Sequence, residues 1–399
     1  MAAIEEDKLP LPPLNPTAAA LEPSKIVDLW QMGAGREDLI ALYVGEGDEA
    51  TPDFITRAAT RALAEGHTFY TPKRGLPELR LAIADYMARH FGADLEEERV
   101  TVTSSGMNAI MLTLQAILTP GANLVVPTPV WPNIISAAQI VGGQVKTLPQ
   151  TALPEGGFHL DLDRLFETCD DDTAAIFLVS PSNPTGWVIS EAEQHAVLDF
   201  CRSRGIWLIA DEVYHRFVYD PVRFPAGVAP SFLQIAGPDD PLVVVNSFSK
   251  AWCMTGWRQG WLIHPAALGP VIGNLIEFNT SGGQAFLQYG CLAALTQGES
   301  FVAAQVERCG QAAELVYQGL SALPRVRLAR PAGAFYSFFR VDGVDDSLAF
   351  AKRILADTGV GLAPGSAFGP GGEGHLRLCF AGTPGRLSTA LERIGQHLS

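Results

Sequence analysis

The sequence predicts an α/β protein: a mostly parallel sheet covered by helices, with a second, smaller unit attached. Three observations carry that expectation. Between residues 100 and 245, short apolar runs alternate with longer segments of helical period, the pattern of repeated strand–helix–strand units. The 399 residues exceed what one ordinary core needs, which predicts two units. Beyond residue 330 strand signals return with one helix among them.

The elements follow in order. Residues 8–16 hold four prolines, which exclude a helix and predict an extended arm. Pro23-Ser24 opens a short helix through Met32. Residues 39–44 are a strand, followed by the turn Gly45-Glu46-Gly47-Asp48. Residues 52–64 are helical and Gly66 stops them; a polar loop, 70–75, leads into a helix over 76–91. The strands of the sheet are 100–103, 124–126, 175–179, 206–210 and 242–245, with a further apolar run at 261–263. Helices over 108–118, 133–141 and 191–204, and a short one before Pro238, lie between them. Residues 277–297 and 301–320 read as long helices. The smaller unit takes strands 335–340, 360–362 and 375–380 and the helix 347–358.

Composition narrows the function. The chain is 47% hydrophobic, enough for large buried cores. A net charge of -15 with no basic run argues against nucleic acid. Six scattered cysteines (Cys169, Cys201, Cys253, Cys291, Cys309 and Cys379) form no C-x-x-C pair, and no His/Cys cluster has metal-ligand spacing. Reduced thiols in a cytoplasmic protein without a metal are the expectation. Residues 1–8 are acidic and lack the apolar core of a signal peptide. No uncharged apolar run approaches about eighteen residues, so no membrane span is expected.

In open α/β sheets ligands sit beyond the carboxyl ends of strands. Five such ends carry Ser104-Ser105-Gly106-Met107, residues 127–131 ending in Trp131, residues 180–184 including Asn183, Asp211-Glu212-Val213-Tyr214, and Ser247-Phe248-Ser249-Lys250. Lys250 lies between two buried strands, with hydroxyl residues before it and Arg258 after it. Burying an ammonium is costly, so such a lysine tends to lose its proton or react. An uncharged amine attacks aldehydes, and the common biological aldehyde is pyridoxal phosphate. Ser247 and Arg258 would then hold the phosphate.

The other strand ends fit the same ligand, each with a plainer alternative. Asp211 is a buried carboxylate that needs a cation, which a pyridinium nitrogen supplies; the alternative is a helix cap. Tyr214 and Asn183 are candidates to hydrogen-bond the cofactor's phenolate oxygen; the alternatives are core packing and a turn before Pro184. Ser105, Gly106 and Met107 open a helix, where backbone N–H groups bind phosphate and Gly106 permits close approach; the alternative is an ordinary capped turn. Trp131 would stack on the pyridine face, or else is a core residue. Arg377 stands between Leu376 and Leu378 in an alternating strand, and its fork matches a substrate α-carboxylate; the alternative is a surface arginine. Arg386, in a Pro/Gly loop, is the weaker candidate. The eight histidines form no cluster, and only His215 falls near the site.

The segment Met254-Thr255-Gly256-Trp257-Arg258 after Lys250, Asn183-Pro184-Thr185-Gly186, Asp211 to Tyr214 and the stretches 39–48, 70–80, 102–109, 127–131, 331–336 and 365–377 resemble, in order, the class I/II aminotransferases of fold type I, the aspartate aminotransferase-like family. The resemblance implies a large pyridoxal-phosphate domain, 49–288, with a seven-stranded sheet. It also implies a small α+β domain built from both chain ends, 1–48 and 289–399. It further implies a homodimer with sites at the interface, where Tyr70 reaches the neighbouring subunit's phosphate, and it places Gly45 and Ile26 beside the substrate. The implied reaction is transfer of an amino group from an amino acid to a 2-oxo acid, with Lys250 carrying the cofactor and then moving a proton. In aspartate-specific members of this family, the position of Met107 can carry a lysine. Met107, Ile26 and Trp131 are apolar, which predicts a neutral donor, aliphatic or aromatic, with aspartate poor. Glutamate remains open as a second substrate if another arginine moves in. A lyase or decarboxylase using nearly the same residues stays open. A non-catalytic regulator would need a DNA-binding segment that the acidic N-terminus does not supply.

Overall fold

The computed structural model describes residues 12–398. Its centre is a seven-stranded sheet in the order Val100–Thr103, Gly260–Ile263, Leu242–Ser247, Trp207–Asp211, Thr173–Val179, Asn123–Thr128, Gln144–Pro149. All run parallel except Gly260–Ile263, which is antiparallel to both neighbours. The inner strands are buried along nearly their whole length because helices cover both faces, while the edge strand Gln144–Pro149 is only partly covered. On Thr173–Val179, Ile176 and Leu178 enter one buried cluster while Ala175, Phe177 and Val179 enter the other. Leu208 and Ala210 part from Ile209 in the same way. Gly106–Ile117, Asn133–Ile140 and Gly269–Asn279 seal the second face.

A second sheet takes Val326–Arg327, Tyr336–Val341, His375–Cys379 and Ala363–Pro364, all antiparallel. Ile40–Ala41 pairs in parallel with Val360–Gly361, so residues from near both chain ends build this smaller unit. The helix Lys25–Gly33 joins it through Asp28, which pairs with Lys352 at 3.1 Å. A mostly parallel seven-stranded sheet with a smaller α+β unit built from both ends is the expected fold.

The predicted helices 191–204 and 347–358 are found at those residues, as Glu191–Arg204 and Ser347–Thr358. Both carry strong end signals. Ser190 and Glu193 form a reciprocal cap, and Gly205 ends the first helix at φ 63. Asp346 caps the second, and Gly359 ends it at φ 70.

Several expectations need correction. The strand over 39–44 narrows to Ile40–Ala41, because its partner offers only two residues. The helix over 277–297 is two helices, Gly269–Asn279 and Ala285–Gln297; Ser281 and Gly282, at φ 57 and 107, turn the chain between them. The helix before Pro238 is a single 3-10 turn, Phe232–Gln234. The strand 360–362 divides: Val360–Gly361 pairs with Ile40–Ala41 and Ala363–Pro364 with the second sheet. The extended arm gives way at Pro16, where Asn15 caps the short helix Pro16–Ala19. Residues 1–11, which hold the acidic stretch and the start of the arm, lie outside the described residues.

Candidate active site

The strand ends meet around one cavity of about 480 Å³. Register explains the convergence: Asp211 lies opposite both Val179 and Val245, and Gly260 lies opposite both Ser247 and Thr103. Gly260 has no room for a side chain, since a Cβ there would stand 2.7 Å from the Gly106 nitrogen. The backbones therefore close up, and the helix Gly106–Ile117 starts on the cavity wall with Gly106 and Met107 in its lining.

Lys250 is enclosed by protein while its chain faces the cavity, and its Nζ donates to the Gly45 carbonyl at 2.5 Å. Burial lowers its pKa to about 8. Asp211 is buried at 6% exposure, and its carboxylate accepts from the Val213 N–H at 3.1 Å. Burial raises it to about 6. Among the described residues it has no cationic side chain within ion-pair distance.

Arg377 is 3% exposed and makes no ion pair among the described residues. It donates to Asn183 Oδ1 at 2.9 Å and to the Tyr43 carbonyl at 2.5 Å, and its guanidinium lies 4.5 Å from the Tyr336 ring centroid. Its Nε has no partner. Arginine only donates, so the Asn183 oxygen must face it, which leaves the Asn183 NH2 to the cavity. Arg258 holds a left-handed conformation, φ 53 and ψ 59, and donates to the Thr255 carbonyl at 2.6 Å. Ser247 Oγ bonds Ser249 Oγ at 2.9 Å.

Of the residues singled out from sequence, Ile26, Gly45, Gly106, Met107, Trp131, Asn183, Asp211, Tyr214, Ser247, Lys250, Arg258 and Arg377 all line this cavity. Two do not. The Ser105 hydroxyl accepts from the Asn108 N–H and caps the helix instead. Tyr70 is 90% exposed beside Phe69. Arg386 points elsewhere, to the Ala41 carbonyl. His215 lies beneath the site, bonded to Tyr86 and to the Glu212 carbonyl, and burial lowers its pKa to about 3.

Sequence reading missed Tyr336. Its hydroxyl bonds that of Tyr214 at 2.7 Å and occupies the space that a Cβ on Gly45 would need. The alternation 336–341 marks the strand but not that its first residue ends on the cavity. No group of three or more His, Cys, Asp or Glu among the described residues is arranged to hold a metal.

A buried carboxylate without a cation and two arginines without carboxylates call for a ligand with a cationic ring and anionic groups. Pyridoxal phosphate has both, together with an aldehyde for the Lys250 amine. With a doubly wound sheet beneath it, the site is that of a fold-type I pyridoxal-phosphate enzyme. The family model for aminotransferase class I and II matches residues 37–394, and the chain belongs to that family. It is similar to a probable aspartate/prephenate aminotransferase of Aquifex aeolicus, 34% identical over 98% of this chain and 96% of that one. It is also similar to aromatic-amino-acid aminotransferase 2 of Thermococcus litoralis, 31% identical over 94% of this chain and 95% of that one. The solved aspartate aminotransferase of Thermus thermophilus with maleate superposes with a TM-score of 0.89 at 32% identity, covering 97% of this chain and all of that one. The protein is thus a pyridoxal-phosphate-dependent transaminase acting on amino acids and 2-oxo acids.

Proposed function

We propose that this transaminase takes a neutral amino donor, aliphatic or aromatic, and handles aspartate poorly. One observation carries the reading. The cations lining the cavity are Lys250, Arg258 and Arg377, and the reaction uses all three. The wall where a donor side chain would lie is Met107, Ile26, Ile110 and Trp131. A second carboxylate there would be desolvated beside apolar groups. The relatives' names, which cite aspartate, prephenate and aromatic amino acids, do not choose among donors.

When bound, pyridoxal phosphate supplies an aldehyde carbon that condenses with amines and a ring that accepts the electron pair left at the substrate Cα. Lys250 would hold the cofactor through its amine and, when free of it, would take the proton from the substrate Cα; a pKa lowered by burial to about 8 suits it to that exchange. Asp211 would keep a proton on the ring nitrogen, Tyr214 and Asn183 would donate to the phenolate oxygen, and Trp131 would cover the ring face. Arg258, Ser247 and the N–H groups of Gly106 and Met107 would grip the phosphate, with Ser105 capping the helix that presents them. Arg377 receives the α-carboxylate as a two-toothed fork, oriented by Asn183 and Tyr43. Gly45 and Ile26 border the substrate.

The chain acts as a homodimer in which Tyr70 crosses to the neighbouring site; the exposed side chains of Phe69, Tyr70 and Phe278 support this. The large domain spans 49–288 and the small one 1–48 with 289–399. Six free cysteines support a cytoplasmic setting. The test is kcat/KM for aspartate against alanine, leucine, methionine and phenylalanine. Aspartate should be the worst of the five. A tenfold preference for aspartate, about 1.4 kcal/mol of transition-state binding, overturns the neutral-donor reading.

A further inference from the structure

A second cavity, of about 410 Å³, adjoins the first, and the two share Met107 and Asn133 in their walls. The first turn of the helix Lys25–Gly33 roofs both: Ile26 faces the first cavity and Lys25 the second. Ser24 caps that turn, accepting from the Ile26 N–H at 3.3 Å. We infer that the substrate site continues past Met107 into this second cavity, which takes the distal part of a long apolar donor side chain. This rests on the neutral-donor reading and extends it from charge to length.

The chemistry of the walls fits that occupant. Leu21, Ala137, Ile140 and Ala367 give the second cavity its apolar surface. Its charged residues are one of each sign, Glu22 and Lys25, and the Lys25 ammonium already donates to the Ser366 carbonyl at 3.4 Å. Nothing there selects a charged tail. The partition is Met107, an unbranched and adaptable side chain that yields at low cost. The first cavity has to hold the cofactor together with the donor's reacting atoms, and the second gives a long side chain room to extend. Together the two lie within the usual size of small-molecule sites, roughly 300–1,000 Å³.

The test uses the holoenzyme and the donor half-reaction, followed by cofactor absorbance, with alanine, norvaline, norleucine and 2-aminooctanoate. Beyond norvaline, kcat/KM should rise roughly threefold to fourfold per added methylene. Ser136 lines only the second cavity. Ser136→Phe should keep alanine within twofold of wild type and lose at least tenfold on 2-aminooctanoate, and Ser136→Ala should keep the whole series. Ile140→Trp, placed from the exposed rim, should give the same split as Ser136→Phe and covers the case in which that variant fails to fold. A series that is flat or falling beyond norvaline overturns the inference. So does an equal loss on alanine and 2-aminooctanoate in the variants. A rising series alongside a still faster aspartate supports the continuation and overturns only the neutral-donor reading.

Discussion

Replacing Asp211 by Asn isolates a single charge. Asn keeps the shape and an oxygen to accept from the Val213 N–H, now at 3.1 Å. It removes the carboxylate that would keep the cofactor's ring nitrogen protonated. At 6% exposure there is little water to take over that role. Breaking a buried ion pair from one side costs about 3–5 kcal/mol, a rate loss of roughly two hundredfold to several thousandfold. Single-turnover absorbance with a saturating amino acid measures it directly. Thermal unfolding of the cofactor-free variant provides the control. There Asp211 is a buried carboxylate with a raised pKa, so losing its charge should leave the midpoint at pH 8 unchanged or higher. Turnover within tenfold of wild type refutes the role. A collapse of cofactor-free stability alongside activity shows that the loss was structural.

Borohydride reduction of the holoenzyme followed by peptide mapping should place the pyridoxyl group on Lys250; finding it on any other lysine refutes that assignment. Mixing Tyr70→Phe subunits with inactive Lys250→Ala subunits should regain activity, because half of the sites in each hybrid dimer then have both groups. No gain over the parents means that Tyr70 does not act across an interface. Glu212 is buried and raised to about 7 by burial, although Ser231 and the Phe232 N–H both donate to it. A carboxyl raised in the folded state favours folding at low pH and loses that contribution as pH climbs through the folded value. The cofactor-free midpoint of Glu212→Gln, relative to wild type, should therefore rise between pH 5 and pH 8; a constant difference would count against a buried, titrating Glu212.

The sheet and most of the cavity were legible in the sequence because each is written locally. Lys250, Asp211 and Arg377 stand out as charges next to apolar runs, and Glu191–Arg204 is bounded by its cap and Gly205. What stayed hidden depends on partners far away in sequence. Tyr336 belongs to the cavity through Tyr214, 122 positions earlier. The edge strand Gln144–Pro149 is only partly buried, so its apolar signal is weak. The break between Asn279 and Ala285 did leave a local trace in Ser281-Gly282-Gly283, overridden by the helical period on either side. Ser105 had the correct position, but its hydroxyl answers to its own helix.

The pairing of Ile40–Ala41 with Val360–Gly361 also sets an order of assembly during synthesis. All seven strands of the large sheet, with Asp211, Ser247 and Lys250, have been made once residue 263 leaves the ribosome. The Tyr43 carbonyl instead waits for Arg377, which arrives 334 positions later. The side of the cavity proposed for the cofactor can therefore form well before the side proposed for the substrate carboxylate. Until residue 360 emerges, Ile40 and Ala41 have no strand to pair with, and Ile40, Leu42 and Tyr43, all buried in the finished protein, lack part of their cover. A chain halted in that interval keeps an exposed apolar segment at its leading end, where chaperones, proteases and aggregation act on unfinished proteins.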